Sequence, residues 1–448
     1  MKIGLFFPSF LMFFCSFVYI DNGTGIGRKI QAVGLFLLAL YCMPKMRGFV
    51  SKSNPYRNVN FLVLLYGMFL VISSYMSSKM DYSYIKLVYG REWLYNDYEA
   101  SSWVLSGFYF GAILLPFAYV EYVCRKGLLV PFVNSIKRVL IVYLLIVYIK
   151  HALDIIGIET GFDVGGKFIE SYYHVLFLSL YIFEKILKKQ TIEIGWMYLL
   201  FVWSLLYSLF VYCLTGFVAT LIFGTLFMWT RKKKHIAKMF SWKILLVLLS
   251  FNALFIITYI YIENSEILNG LLVQIGKDGT IASRFTIYEV ALPLLFVNGL
   301  WGVGAGNSTH FFTYLFDYPN AQNGLIDVVI SDGIFTVAVM LIMFFYLIRK
   351  NLRNKGYLLT YPVVMLLVTY ISVSSIEVTL GTNFTCLFPL LITGIKPSQN
   401  LLYENTSVRL IFTKAIATVI LRFLINNCLV KKFIQRSPLK ENLADDIR

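Results

Sequence analysis

Apolar residues fall into runs of similar length along most of the chain, and polar residues gather in the short gaps between them. Runs near 3–20, 103–123, 243–262 and 324–348 each approach twenty residues. At 1.5 Å per residue such a run matches about 30 Å of hydrocarbon. The pattern predicts membrane-crossing helices near 3–20, 30–44, 60–77, 102–123, 139–157, 172–187, 194–213, 216–230, 243–262, 324–348, 357–374 and 382–396. The expected fold is all-α: a polytopic integral membrane protein with about 12 transmembrane helices. Helices 1–9 occupy residues 1–262, with an external loop at 78–101, and helices 10–12 occupy 324–396. Between them lies a large late loop, 263–323, and residues 397–448 form a tail.

One stretch inside the large loop tests this counting. Residues 285–303 are mostly apolar, but they include Glu289, Pro293 and Asn298 and lead into glycines at 302, 304 and 306. An interfacial or re-entrant helix fits that composition better than a span. Counting it as a crossing would invert every loop downstream.

Charge then orients the bundle. With the N-terminus in the cytoplasm, the loops on that side hold 21 basic residues, including Arg231–Lys234, and the opposite loops hold eight. Cytoplasmic loops carry such an excess of Lys and Arg, so both termini are expected inside and 263–323 outside. The formal net charge of +16 is thereby absorbed by topology without any nucleic-acid partner. A composition 58% hydrophobic and 14% charged excludes an ordinary soluble domain of 448 residues. The six cysteines form no CxxC pair and no metal-ligand spacing. The first run looks like a signal peptide without a cleavage site, so an uncleaved first span is expected. Arg409, Lys414 and Arg422 interrupt the apolar runs of 409–432 and suggest a basic amphipathic helix on the inner leaflet, within a cytoplasmic tail.

The chemistry concentrates in the large loop. It carries Arg284, Glu289, His310, Asp317, Asn320, Gln322 and Asn323, interleaved with Trp301, Phe311, Phe312, Tyr314, Phe316 and Tyr318. Aromatic faces beside amides and carboxylates suit sugar rings; an interfacial aromatic belt has the same composition. Arg284 is one of two basic residues there, against the topological bias, which points to an anionic partner. A pyrophosphate matches the guanidinium fork, and Glu289 or Glu263 is the competing partner. His310 is the loop's one histidine and a candidate general base. The Gly302-x-Gly304-x-Gly306 pattern lacks the strand and βαβ setting of a nucleotide site, and reads as sharp turning near the membrane surface.

Ser283-Arg284-Phe285, some fifteen apolar residues and then Trp301-Gly302-Val303-Gly304 resemble the large external loop of O-antigen polymerases and O-antigen ligases. Gln322-Asn323, nine residues, Gly333, two residues and Thr336 resemble the ligase pattern that follows it. The resemblance covers roughly 283–336, together with the span count and the late loop. Two departures favour the polymerases. Gln322 stands where the ligases have histidine, and Leu214 and Phe217 flank Thr215-Gly216, where the ligases carry an arginine.

The resemblance implies a bacterial polysaccharide polymerase that joins undecaprenyl-pyrophosphate-linked repeat units into O-antigen or a related surface polysaccharide. It implies Arg284 at the departing pyrophosphate, with Arg91 of the other external loop as a second cation. His310 or Glu289 would activate the acceptor, and Gln322, Asn323 and Asp332 would orient sugar hydroxyls. No metal and no cofactor are expected. The expected partners are the lipid-linked glycan, membrane lipids and a chain-length regulator. The alternatives are a ligase that transfers glycan to lipid A core and a flippase for the same lipid-linked sugar.

Overall fold

The computed structural model describes residues 3–17, 26–79, 103–158, 166–231, 233–262, 299–305, 311–312 and 320–396. Every regular element among them is helical. The long helices are α1 (Ile3–Phe17), α2 (Ile26–Cys42), α3 (Arg57–Ser77), α4 (Trp103–Arg125), α5 (Leu129–Ile155) and α6 (Gly166–Leu187). They continue with α7 (Ile194–Phe210), α8 (Leu214–Trp229), the short α9 (Lys233–Met239), α10 (Trp242–Ile262), α11 (Gly324–Arg353) and α12 (Tyr357–Val373). Among the described residues, four helices are long and apolar enough to cross a membrane: Arg57–Ser77, Ser106–Arg125, Leu129–Ile155 and Gly324–Arg353.

Burial inverts the pattern of a water-soluble protein. Val33, Phe36 and Leu40 of α2, Val142, Leu145 and Ile149 of α5, and Val247, Phe251 and Leu254 of α10 are exposed, whereas Asn60, Ser74, Thr220, Asn252 and Asn351 are completely buried. A contiguous apolar exterior around a polar-studded interior is the arrangement that hydrocarbon favours. Helix α12 is the hub: Leu359–Ile371 are buried without a break, and it packs against α6, α8 and α10. Around it, α3 packs on α4 and α11, α5 on α1 and α6, and α7 on α8.

Polar contacts identify which helix ends lie together. At one end, Asn54 and Asn60 donate to the two carboxylate oxygens of Glu121, at 2.9 and 2.6 Å, and Arg125 pairs with the same group. At that end too, Lys137 and Lys188 both pair with Glu184. These are the start of α3, the end of α4, the start of α5 and the end of α6, so the helices alternate in direction. At the opposite end, the last turn of α3 meets residues 299–305, the end of α5 meets the start of α6, and the start of α11 meets the end of α12.

The expected last span does not form as one helix. Residues 382–396 comprise α13 (Thr382–Thr385), α14 (Phe388–Leu391) and the 3-10 turn Ile392–Gly394. Phe384–Ile395 are buried throughout, in contact with α4, α11 and α12. Hydropathy reads a buried, broken segment and a lipid-facing helix alike. Its backbone is satisfied from its neighbours: Asn351 donates to the Leu391 carbonyl at 2.9 Å, and Asn354 to that of Ile395. The tail at 397–448 and the loop at 80–100 lie outside the described residues.

Candidate functional site

The site is built around a break in α11. Gly333 has φ +81° and ψ 158°, far from helical values, so the helix runs as two pieces either side of it. The break frees two carbonyls, and the turn at 301–305 takes both. Val303 N–H donates to Ile330 O at 2.7 Å and Gly304 N–H to Ser331 O at 2.9 Å, while Ile334 N–H donates to Gly299 O at 2.8 Å. The turn itself is pinned to the end of α3. The Ser73 hydroxyl donates to Trp301 O, Ser77 to Val303 O at 2.7 Å, and Ala305 N–H donates to Ser74 Oγ at 3.2 Å.

Glycine is required on both sides of this joint. A Cβ at Gly302 (φ +74°) would stand 2.6 Å from Gly333 N and 2.6 Å from Ser331 O. A Cβ at Gly333 would stand 2.5 Å from the Trp301 carbonyl carbon and 2.6 Å from Leu300 O. Both positions also need the left-handed backbone that only glycine enters freely. The two glycine motifs, thirty-one residues apart in sequence, are thus two halves of one joint.

Ionisable groups gather beside it. Asp332 directly precedes the break and accepts from the Ser331 hydroxyl at 2.9 Å; buried Tyr66 of α3 lies within its electrostatic range. Asp327, one turn inside the helix start, accepts from Ala321 N–H at 3.1 Å and senses both Asp332 and Glu377. Glu377, on the loop after α12, is buried and accepts from Val378 N–H at 3.1 Å, and Tyr172 of α6 lies within its range. Among the described residues neither Asp327 nor Asp332 pairs with a base. Carboxyl oxygens held only by a hydroxyl and a backbone N–H keep lone pairs that can accept from hydroxyl groups of a ligand.

A second polar group lies at the same end. His151 Nε2 sits 2.8 Å from Glu170 Oε2, and the Tyr207 hydroxyl donates to that same oxygen at 2.6 Å. His174 stacks on Tyr207 with ring centroids 4.2 Å apart and shares a hydrogen bond with the Tyr148 hydroxyl at 2.6 Å.

Of the seven residues expected to act in catalysis or substrate binding, three are described. Asn323 is fully buried and caps α11: its Oδ1 accepts from Leu325 N–H at 3.0 Å and Ile326 N–H at 3.1 Å, and its Nδ2 donates to Ser375 O at 3.2 Å. Those bonds give it a structural task. Gln322 adopts φ +55° just before the cap and donates both its backbone N–H and its Nε2 to Asn320 Oδ1 at 2.9 Å. Asp332 stands at the break. Arg284, His310, Glu289 and Arg91 lie outside the described residues. Sequence reasoning missed Glu377, Glu170 and His151: each lies at the edge of an apolar run, where hydropathy reads polar residues only as a boundary. Near Thr215-Gly216, the start of α8 closes on α6, since a Cβ at Gly216 would meet Ser171 Cβ at 2.3 Å. No protein-family model matches the chain, and no curated protein matches it either.

Proposed function

We propose that the chain is a bacterial inner-membrane polymerase of lipid-linked oligosaccharide, with both termini in the cytoplasm, residues 263–323 in the periplasm and about twelve crossing segments, the last of them the broken 382–396. The observation that carries the reading is the joint between Gly302-Val303-Gly304 and Gly333. It unites the two stretches through which the chain resembles O-antigen polymerases and ligases, at the helix ends facing away from the basic loops.

In this reading the donor is a growing glycan on undecaprenyl pyrophosphate and the acceptor is one repeat unit on the same lipid. An acceptor hydroxyl oxygen bonds to the donor's anomeric carbon. The bond from that carbon to the pyrophosphate oxygen breaks, and the pyrophosphate leaves with the electron pair. The hydroxyl proton passes to a base, His310 or Glu289. Arg284, aided by Arg91, stabilises the charge that develops on the leaving group. Asp332 and Gln322 orient sugar hydroxyls, while Asn323 holds the helix start beneath them.

The test is the surface-glycan profile of a strain lacking the gene, complemented by wild type or by Arg284→Ala. Loss of polymerase leaves lipid A core capped with a single repeat, and Arg284→Ala fails to restore long chains while still inserting in the membrane. Long chains of normal distribution with Arg284→Ala defeat the proposal, and a bare core in the deletion strain identifies a ligase instead. A flippase is the second reading, favoured by the interrupted helix with a carboxylate beside the break, an architecture that transporters use. A flippase deletion would trap single repeats on the cytoplasmic face.

A further inference from the structure

A groove of about 300 Å³ runs between α7 and α8, lined by Ile194, Met197, Phe201, Leu221, Gly224 and Met228 among others. Its floor is apolar: Ile194 and Met197 are buried, and the Phe201 ring lies across Gly224, where a Cβ would meet it at 2.0 Å. The polar atoms on its walls are already engaged. The Thr225 hydroxyl donates to Leu221 O at 2.9 Å, and the Tyr198 hydroxyl lies 4.0 Å from Met228 Sδ. Tyr198, Leu221 and Met228 are exposed, so the groove opens on the apolar exterior of the bundle. An occupant must therefore be hydrocarbon.

Charge says which hydrocarbon. On α7 the groove spans residues 194–201, about 12 Å at the helical rise, shorter than the ~15 Å of one leaflet's hydrocarbon. One end of it meets the basic end of the bundle. Lys189 lies just before α7, and exposed Arg231 follows Met228 by less than a turn; Glu193, at the start of α7, is the nearby carboxylate in sequence. A chain slot confined to one leaflet and headed by cations fits a lipid whose headgroup is negative.

We propose that this groove holds an acyl chain of an anionic phospholipid, its phosphate met by the cations at the basic end, Arg231 foremost. The site is independent of the polymerase reading and stands or falls without it.

The experiment uses the full chain in nanodiscs containing phosphatidylglycerol or phosphatidylcholine with a photoreactive diazirine in the acyl chain, and maps the cross-links by mass spectrometry. The phosphatidylglycerol probe labels 194–201 and 221–228 about fivefold more than the phosphatidylcholine probe, the contribution of one near-surface cation. Arg231→Gln removes that preference. Thr225→Phe, which fills the groove from an exposed wall, lowers labelling there by both probes, while labelling around exposed Val247 on α10 is unchanged and reports that the variant is folded. Equal labelling of the wild-type groove by the two probes would mean bulk lipid only and overturn the proposal. Displacement of the probe by a polyisoprenyl phosphate but not by unlabelled phosphatidylglycerol would overturn it as well, assigning the slot to a lipid carrier's tail.

Discussion

Buried carboxylates are held in opposite ways at the basic end of the helix bundle and beside the break in α11. Among the described residues, the buried acids at the basic end have basic partners: Glu121 pairs with Arg125 and accepts from Asn54 and Asn60, and Glu184 pairs with Lys137 and Lys188. At the other end Asp327 and Asp332 are held by a backbone N–H and a serine hydroxyl, beside a helix broken at Gly333. Paired charges tie helices together and leave nothing over for a ligand. Acids without a base, next to a backbone that departs from helical geometry, are costly to maintain, and such costs concentrate where a protein does its work.

The difference can be broken most severely at the joint. Gly333→Ala sets a methyl 2.5 Å from the Trp301 carbonyl carbon in a left-handed backbone, and should destabilise the fold by about 3 kcal/mol or more. Its signature is a large fall in the thermal midpoint of the detergent-solubilised protein, with lost activity; a variant as stable as wild type would mean the joint is not closed. At the basic end, Glu184→Ala strands Lys137 and Lys188. The expected loss is about 2 kcal/mol, less than for a wholly buried pair because Lys188 is a third exposed. The same assay reads it, and a double variant with Lys137→Ala should recover part of the loss. Asn323→Ala removes one helix cap and should cost about 1 kcal/mol, with Asn323→Asp closer to wild type than Ala. The smallest effect is expected of Gln322→His. Histidine tolerates the left-handed backbone there, so stability should stay within about 0.5 kcal/mol. Because a single histidine does not rebuild the ligase site, core-linked glycan in a ligase-deficient strain should not appear; its appearance would move the assignment to the ligases.

Much of the helical layout was legible in the hydrophobic pattern, and the departures have definite causes. Helix α5 begins at Leu129 rather than near 139 because hydropathy stops at Asn134, Lys137 and Arg138, while the backbone continues through residues that face the basic end. The apolar residues of 382–396 predict a span, yet apolarity carries no information on whether Phe384 and Phe388 face lipid or, as here, Phe344. The glycines at 302, 304 and 333 stood out as motifs, but their mutual contact did not, since a joint between positions thirty-one residues apart leaves no local pattern. The position of Asn323, just before an apolar run, marks it as a helix cap, the task it has in the structure.

The sidedness of the bundle underlies the whole functional account, and it is measurable with two cysteines. In a background free of native cysteine, His310→Cys and His235→Cys are challenged in intact cells with a membrane-impermeant maleimide. The account predicts labelling at 310 without permeabilisation and at 235 only after it. The reverse pattern, or labelling of both from the same side, would put the proposed site on the face where lipid-linked repeats are made rather than joined, and would contradict the account.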